Sequence, residues 1–112
     1  MKQQAKVMVV DDNPINLSLM EAMLAPEGYT LILCESGAAC LAAAAADLPD
    51  IILLDAMMPQ MDGFQVARRL KTQANSRAIP VIMVTSLSDL SDRVAAIEAG
   101  ADDFLSKPIA KV

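Results

Sequence analysis

The chain has 112 residues, a net charge of −5, 54% hydrophobic residues, two cysteines and no histidine. That length suits one domain with a single core, and the apolar share argues against disorder. The acidic balance disfavours nucleic acid, and the missing histidine excludes Ser-His-Asp and Cys-His catalysis, as well as a phosphohistidine donor, within the chain.

Ala5 to Val10 reads as a first buried strand ending at Asp11-Asp12. Asn13 can cap the helix that follows, and Pro14 suits its first turn. Ile15, Leu19 and Met23, with Met20 and Leu24 beside them, form one broad apolar face, and Pro26 and Gly28 end the helix. Thr30 to Cys34 is a short second strand. Ser36-Gly37 opens an alanine-rich helix to about Ala46, with Leu41 and Leu48 as its larger anchors.

Ile51 to Leu54 is a continuous apolar run leading into Asp55, the pattern of a strand buried on both faces. Pro59, Asp62 and Gly63 punctuate a loop, and Gly63 to Thr72 is helical, with Phe64, Ala67 and Leu70 on one side. Arg68, Arg69 and Lys71 on that helix read as a solvated face. Ala74 to Ile79 is a polar loop, and Val81 to Val84 is a fourth buried strand ending at Thr85-Ser86. Ser88 with Asp89, or Ser91 with Asp92, caps a helix in which Leu90, Val94 and Ile97 share a face, and Gly100 closes it. Asp103 to Ser106 is a fifth strand, ending at Lys107-Pro108.

Strands alternating with helices give an α/β fold, a doubly wound parallel sheet covered on both faces. Cys34 and Cys40 fit neither a CxxC pair nor a zinc site and read as buried free thiols. No apolar run approaches a membrane span and no signal peptide opens the chain, so a cytoplasmic protein without membrane contact is expected.

In a parallel sheet all strand C-termini share one edge, where open α/β folds bind ligands. Asp11, Asp12, Asp55, Thr85, Ser86 and Lys107 would gather there. Clustered carboxylates repel unless protons or a cation intervene, and a hard dication such as Mg²⁺ or Mn²⁺ fits oxygen donors. A carboxylate can then attack phosphorus, with the Thr85 hydroxyl and Lys107 holding phosphoryl oxygens. Asp55, single and central, is the expected nucleophile. Each piece alone is ordinary: an Asp-Asp pair before a helix is usually a cap or surface feature. Their joint order and spacing carry the reading.

Those residues resemble the receiver domain of two-component response regulators. The match rests on Val9-Val10-Asp11-Asp12-Asn13, on Asp55 with Met58-Pro59-Met61-Asp62-Gly63, on Pro80 to Thr85, on Gly100-Ala101 and on Lys107-Pro108. The resemblance implies a flavodoxin-like five-stranded sheet in the order 2-1-3-4-5. It implies that Asp55 accepts phosphate from the phosphohistidine of a sensor histidine kinase or phosphotransfer protein. It implies Mg²⁺ held by Asp12, Asp55 and the Met57 carbonyl, with Asp11 acting closely or through water. Lys107 would grip the phosphate, and a switch would run through Thr85 and Phe104, where many members carry tyrosine. The output would be a linked domain or a separate partner.

On this reading the chain is a phosphoacceptor regulatory domain, with self-catalysed phosphorylation and slow autodephosphorylation only. The rival is a receiver-like interaction module that works without phosphorylation. A small aspartyl-phosphate hydrolase fits less well, because its two aspartates alternate with one residue where Asp11 and Asp12 are adjacent. Residues 1–112 are expected to be a receiver domain from a longer chain, because the family's fifth helix is truncated or absent. The face that helix would cover is then exposed, and a homodimer is the expected consequence.

Overall fold

The structure, a computed structural model, describes residues 5–85 and 90–106, and of Thr85, residues 90–93, Phe104 and Ser106 the backbone alone. Along the chain β1 (Lys6–Val10), α1 (Pro14–Leu24), β2 (Thr30–Cys34), α2 (Gly37–Ala46) and β3 (Ile51–Asp55) are followed by α3 (Gly63–Thr72), β4 (Val81–Thr85), α4 (Leu90–Glu98) and β5 (Asp103–Ser106). All neighbouring strands pair in parallel, in the order β2-β1-β3-β4-β5. This is the flavodoxin-like α/β sheet that the alternation and the resemblance imply. The expected loss of a fifth helix concerns residues 107–112, which lie outside the described ones. Among the described residues no helix is long and apolar enough to cross a membrane.

Side-chain caps start α1, α2 and α3, while Ser88 and Asp89, expected to cap α4, lie outside the described residues. Asn13 Oδ1 accepts the Ile15 amide at 2.8 Å and Ser36 Oγ accepts the Ala39 amide at 3.0 Å. Asp62 is the cap of α3, and more than loop punctuation. Its Oδ1 accepts the Gln65 amide at 2.9 Å, while Gln65 Oε1 accepts the Asp62 amide at 3.0 Å. That reciprocal box satisfies two amides that a helix start leaves open. Gly28, at φ 87°, ends the short 3₁₀ turn Ala25–Glu27 that follows α1.

The sheet has one deep face and one shallow face. On the deep face Met8, Ile52, Leu54 and Met83 are wholly buried against Cys40, Ala44, Val66, Ala67, Leu70 and Ala96 of α2, α3 and α4, and against Ala99 just past α4. On the other, Val7 and Val9 meet Leu17 of α1, with Met20, Leu24, Leu31, Ile51 and Leu53 partly buried around them. Cys34 and Cys40 are buried free thiols, as expected, and Cys40 Sγ lies 3.7 Å from Met8 Sδ. Burial, with Cys34 close by, pushes the Cys40 thiol up to about 12, so it stays protonated and inert.

Several helix faces differ from the periodicity reading. In α1, Ile15 is 69% and Leu19 59% exposed, whereas Met20 and Leu24 of the expected face do turn to the sheet, together with Leu17. The helix is apolar in most directions, so hydrophobic spacing leaves its rotation open. The cap sets it: the Asn13 amide donates to Asp11 Oδ1 at 2.9 Å, which ties the helix start to the end of β1. In α4, Val94 and Ile97 are exposed and Ala96 is buried, as is Ala99 just past the helix, because small side chains let the helix approach the sheet closely. Leu48 lies past the end of α2 and is exposed, while Gly37, Cys40 and Ala44 form the buried face of that helix. The stretch from Ala74 to Ile79 is not simply polar and solvated. Ser76 is buried and its hydroxyl donates to the Leu70 carbonyl at 2.6 Å, and Ile79 is buried beside it.

Lys71 also departs from its reading as part of a solvated face. Its Nζ donates to the Ile79 carbonyl at 2.7 Å, the Arg77 carbonyl at 3.2 Å and Asp102 Oδ2 at 3.0 Å. Asp102 Oδ2 in turn accepts the Val81 amide at 2.8 Å. One ammonium thus ties the end of α3 to the starts of β4 and β5. No local spacing announces this contact, because Lys71 and Asp102 are 31 residues apart.

Candidate functional site

The strand register decides which side chains meet at the carboxyl edge. Val10 lies opposite Leu54 and Cys34, and Asp55 lies opposite Val84. The β1–β2 ladder runs one step further, with the Asp11 amide donating to the Cys34 carbonyl at 3.0 Å. The β3–β4 ladder does the same, with the Ala56 amide on the Val84 carbonyl at 3.3 Å. Asp11 and Asp55 are therefore fixed by sheet hydrogen bonds on two adjacent strands.

Asp11, Asp12 and Asp55 each place a carboxylate oxygen within 4.8 Å of the others. Asp11 is 4% and Asp55 5% exposed, and Asp12 is open to solvent. Asp11 Oδ1 accepts the Asn13 amide at 2.9 Å, and Asp55 Oδ1 accepts the Met57 amide at 3.3 Å. At an effective dielectric near 20, two like charges at such a separation repel by roughly 3–4 kcal/mol. A hydrogen bond from one amide to a charged oxygen returns only about 1.5–3 kcal/mol. Three oxygen donors of this kind fit a hard dication such as Mg²⁺ or Mn²⁺, which would relieve the repulsion. A carboxylate at the centre of such a cluster is well placed as an oxygen nucleophile.

The loop after β3 is tightly folded. The Met61 amide donates to the Pro59 carbonyl at 2.8 Å, and Gln60 between them has φ 69°, a left-handed value strained for a residue with a side chain. The Gly63 amide donates to the Ala56 carbonyl at 2.9 Å, closing the loop at its base. Met57 stands at the head of this loop, its side chain exposed. On the α1 side a cavity of about 150 Å³ adjoins the cluster, lined by Val9, Asn16, Leu19, Met20, Leu53 and Asp55 among others. Asn16 and Leu19 border the site although no strand-tip argument selects them. Their signal is position: the first turns of a helix that begins just after Asp12 must pass the site.

The structure thus brings Asp11, Asp12 and Asp55 together. Thr85 ends β4, the strand next to Asp55. Phe104 pairs with Met83 inside the sheet. Ser86, Lys107 and Pro108 lie outside the described residues.

Known proteins resemble the chain over nearly its whole length. The response regulator PleD of Caulobacter vibrioides is 51% identical over 105 residues, which are 94% of this chain and 23% of that one. The chain therefore spans about a quarter of that relative. Among solved structures, the chemotaxis protein CheY4 of Vibrio cholerae superposes with a TM-score of 0.92 at 28% identity, covering 96% of this chain and 90% of that one. The receiver domain of the sensor histidine kinase PA1611 from Pseudomonas aeruginosa gives a TM-score of 0.88 at 33% identity, covering 96% and 88%. That structure has a magnesium ion coordinated in its active-site cleft. A sequence profile of the response regulator receiver domain matches residues 7–112. With this match, the parallel sheet in that order and the acidic cluster at its carboxyl edge, the chain belongs to the receiver-domain family of two-component response regulators.

Proposed function

We propose that this receiver domain works as a phosphoacceptor, with Asp55 taking a phosphoryl group from the phosphohistidine of a sensor histidine kinase or phosphotransfer protein. The observation that carries this reading is the burial of the Asp55 carboxylate at the tip of the central strand, within 4.8 Å of those of Asp11 and Asp12. In the transfer an Asp55 oxygen bonds to phosphorus, the P–N bond breaks, and the imidazole leaves with the electron pair and takes up a proton. Asp11, Asp12, Asp55 and the Met57 carbonyl would hold Mg²⁺, or Mn²⁺. Bound there, the ion neutralises the cluster and the incoming phosphoryl oxygens.

Thr85, at the end of the neighbouring strand, is assigned to the phosphoryl oxygens and to the switch, with Lys107 as the phosphate's cationic partner and Phe104 as the second switch residue. Leu19 lines the cavity beside Asp55, and Ile15 stands exposed one turn before it. This apolar pair offers a phosphodonor protein a surface to grip next to the reacting carboxylate. The named relatives include a response regulator and a sensor histidine kinase. We assign the output accordingly to a linked domain or a separate partner. An interaction module indifferent to phosphate would have no use for three mutually repelling carboxylates, and this weighs against that rival.

Intact mass after incubation with acetyl phosphate and Mg²⁺ tests the proposal. One phosphate is expected on the wild type and on Asp62→Asn, and none on Asp55→Asn. Labelling that persists unchanged in Asp55→Asn removes Asp55 as the acceptor.

A further inference from the structure

We infer that Gly63 is a positioning residue for the phosphoacceptor: lacking a side chain, it lets the start of α3 close directly onto the peptide of Asp55 and hold that carboxylate, and the Met57 carbonyl, in place. The inference rests on the reading of Asp55 as the acceptor.

A Cβ built on Gly63 would overlap the Asp55 carbonyl oxygen, and would lie 2.8 Å from Ala56 Cα and 2.9 Å from the Asp55 carbonyl carbon. All three are backbone atoms, so no rotamer change relieves the contact. The peptide they belong to is held from the other side, because the Ala56 amide donates to the Val84 carbonyl at 3.3 Å. Gly37 makes an instructive contrast. Its added carbon would meet Val66 Cγ2 at 2.7 Å and Met61 Cβ and Cγ at 3.2 Å, which are side-chain atoms and leave the backbone at the site untouched.

The loop between Asp55 and Gly63 is braced at both ends. The Gly63 amide closes its base on the Ala56 carbonyl at 2.9 Å, and the Asp62–Gln65 box fixes where α3 begins. Between them Gln60 keeps its strained φ of 69°. Such strain persists only where the surroundings over-determine the backbone. The Met57 amide on Asp55 Oδ1 lies within this brace. A side chain at position 63 would therefore push the Asp55–Ala56 peptide, rotate the carboxylate and displace the Met57 carbonyl together. A misplacement of about 1 Å can cost on the order of a hundredfold in rate.

The test is the initial rate of labelling by acetyl phosphate as Mg²⁺ is varied, for the wild type, Gly63→Ala and Leu70→Val, all well below their unfolding midpoints. Leu70→Val loosens the core from the far end of the same helix and serves as the stability control. The expected result is a tenfold or greater loss of maximal rate in Gly63→Ala with a severalfold higher half-saturating Mg²⁺, and less than twofold change in Leu70→Val. Equal rates in wild type and Gly63→Ala, or equal losses in both variants, overturn the inference and leave Asp55 as the acceptor. A wild type that takes no label removes the acceptor reading itself and the inference with it. Should Gly63→Ala fail to fold, amide exchange of the wild type decides. The Gly63 amide is expected among the protected ones, slowed further by Mg²⁺. Fast exchange that Mg²⁺ leaves unchanged overturns the inference.

Discussion

At the edge where the strands begin, Asp102 accepts Lys71 at 3.0 Å and the Val81 amide at 2.8 Å, Asp47 accepts Lys6 Nζ at 2.8 Å, and Asp50 accepts the Lys6 amide at 2.7 Å. At the edge where they end, Asp11, Asp12 and Asp55 converge within 4.8 Å of one another. Both ion pairs formed among the described residues belong to the first edge. The same residue type therefore serves two ends of one sheet in opposite ways. At one end carboxylates are matched with cations and amides and hold elements together. At the other, like charges are crowded at a cost to the fold, which is the mark of a site kept for binding and chemistry.

The contrast can be broken most forcefully by removing metal. With excess chelator, labelling by acetyl phosphate is expected to fall at least a hundredfold, read by intact mass, because the crowded carboxylates then lack the dication that would relieve their repulsion. Labelling at the same rate with chelator and with Mg²⁺ would mean that the cluster does not need a cation.

The opposite edge should answer in stability alone. Lys71→Met removes an 18% exposed ammonium with three oxygen partners. A loss of about 1–2 kcal/mol in denaturant unfolding is expected, with no change in the Mg²⁺ dependence of labelling. Asp102→Asn should cost less, because that carboxylate is half exposed. Burial raises the Asp102 pKa, but the Val81 amide and Lys71 outweigh it and hold it below its usual value of 3.8. A depressed carboxylate stabilises the fold above its unfolded pKa and loses that contribution as pH falls through the folded one. The stability gap between wild type and Asp102→Asn should thus be full at neutral pH and shrink below about pH 3.8. Lys6→Met should have the smallest effect of the three, because the Lys6–Asp47 pair lies in solvent. The hydrogen bond to Asp47 and the charges of Asp47 and Asp50 raise the Lys6 pKa, so what the pair contributes is present below 10.5 and fades at higher pH.

The two edges were not equally legible from the residues alone. Strand tips are easy to find, because a buried parallel strand is a continuous apolar run and the next polar residue marks the rim. Val7–Val10 into Asp11 and Ile51–Leu54 into Asp55 show this, and parallel pairing then gathers the tips without further information. The Lys71–Asp102 tie was hidden because it joins segments far apart in the chain, each unremarkable by itself. Helix rotation was hidden for another reason. Apolar spacing says that a face exists, whereas the sheet takes whichever face lets the backbone come closest. At α4 that choice falls on Ala96, and on Ala99 just past its end, leaving the larger Val94 and Ile97 outside. Asp62 reads from the residues as loop punctuation and Gly63 as a helix start, whereas the Asp62–Gln65 box and the contact of Gly63 with the Asp55 peptide emerge only from the path of the whole loop.

The most direct test of the crowded edge is thermal unfolding of the wild type and Asp12→Asn, each with and without Mg²⁺. Among the described residues Asp12 makes no hydrogen bond or ion pair, so the substitution removes charge and little else. The account predicts that Asp12→Asn melts higher than the wild type in the absence of metal, and that Mg²⁺ raises the wild-type midpoint but barely moves that of the variant. An Asp12→Asn chain that melts lower without metal, or a wild type whose midpoint ignores Mg²⁺, would contradict it.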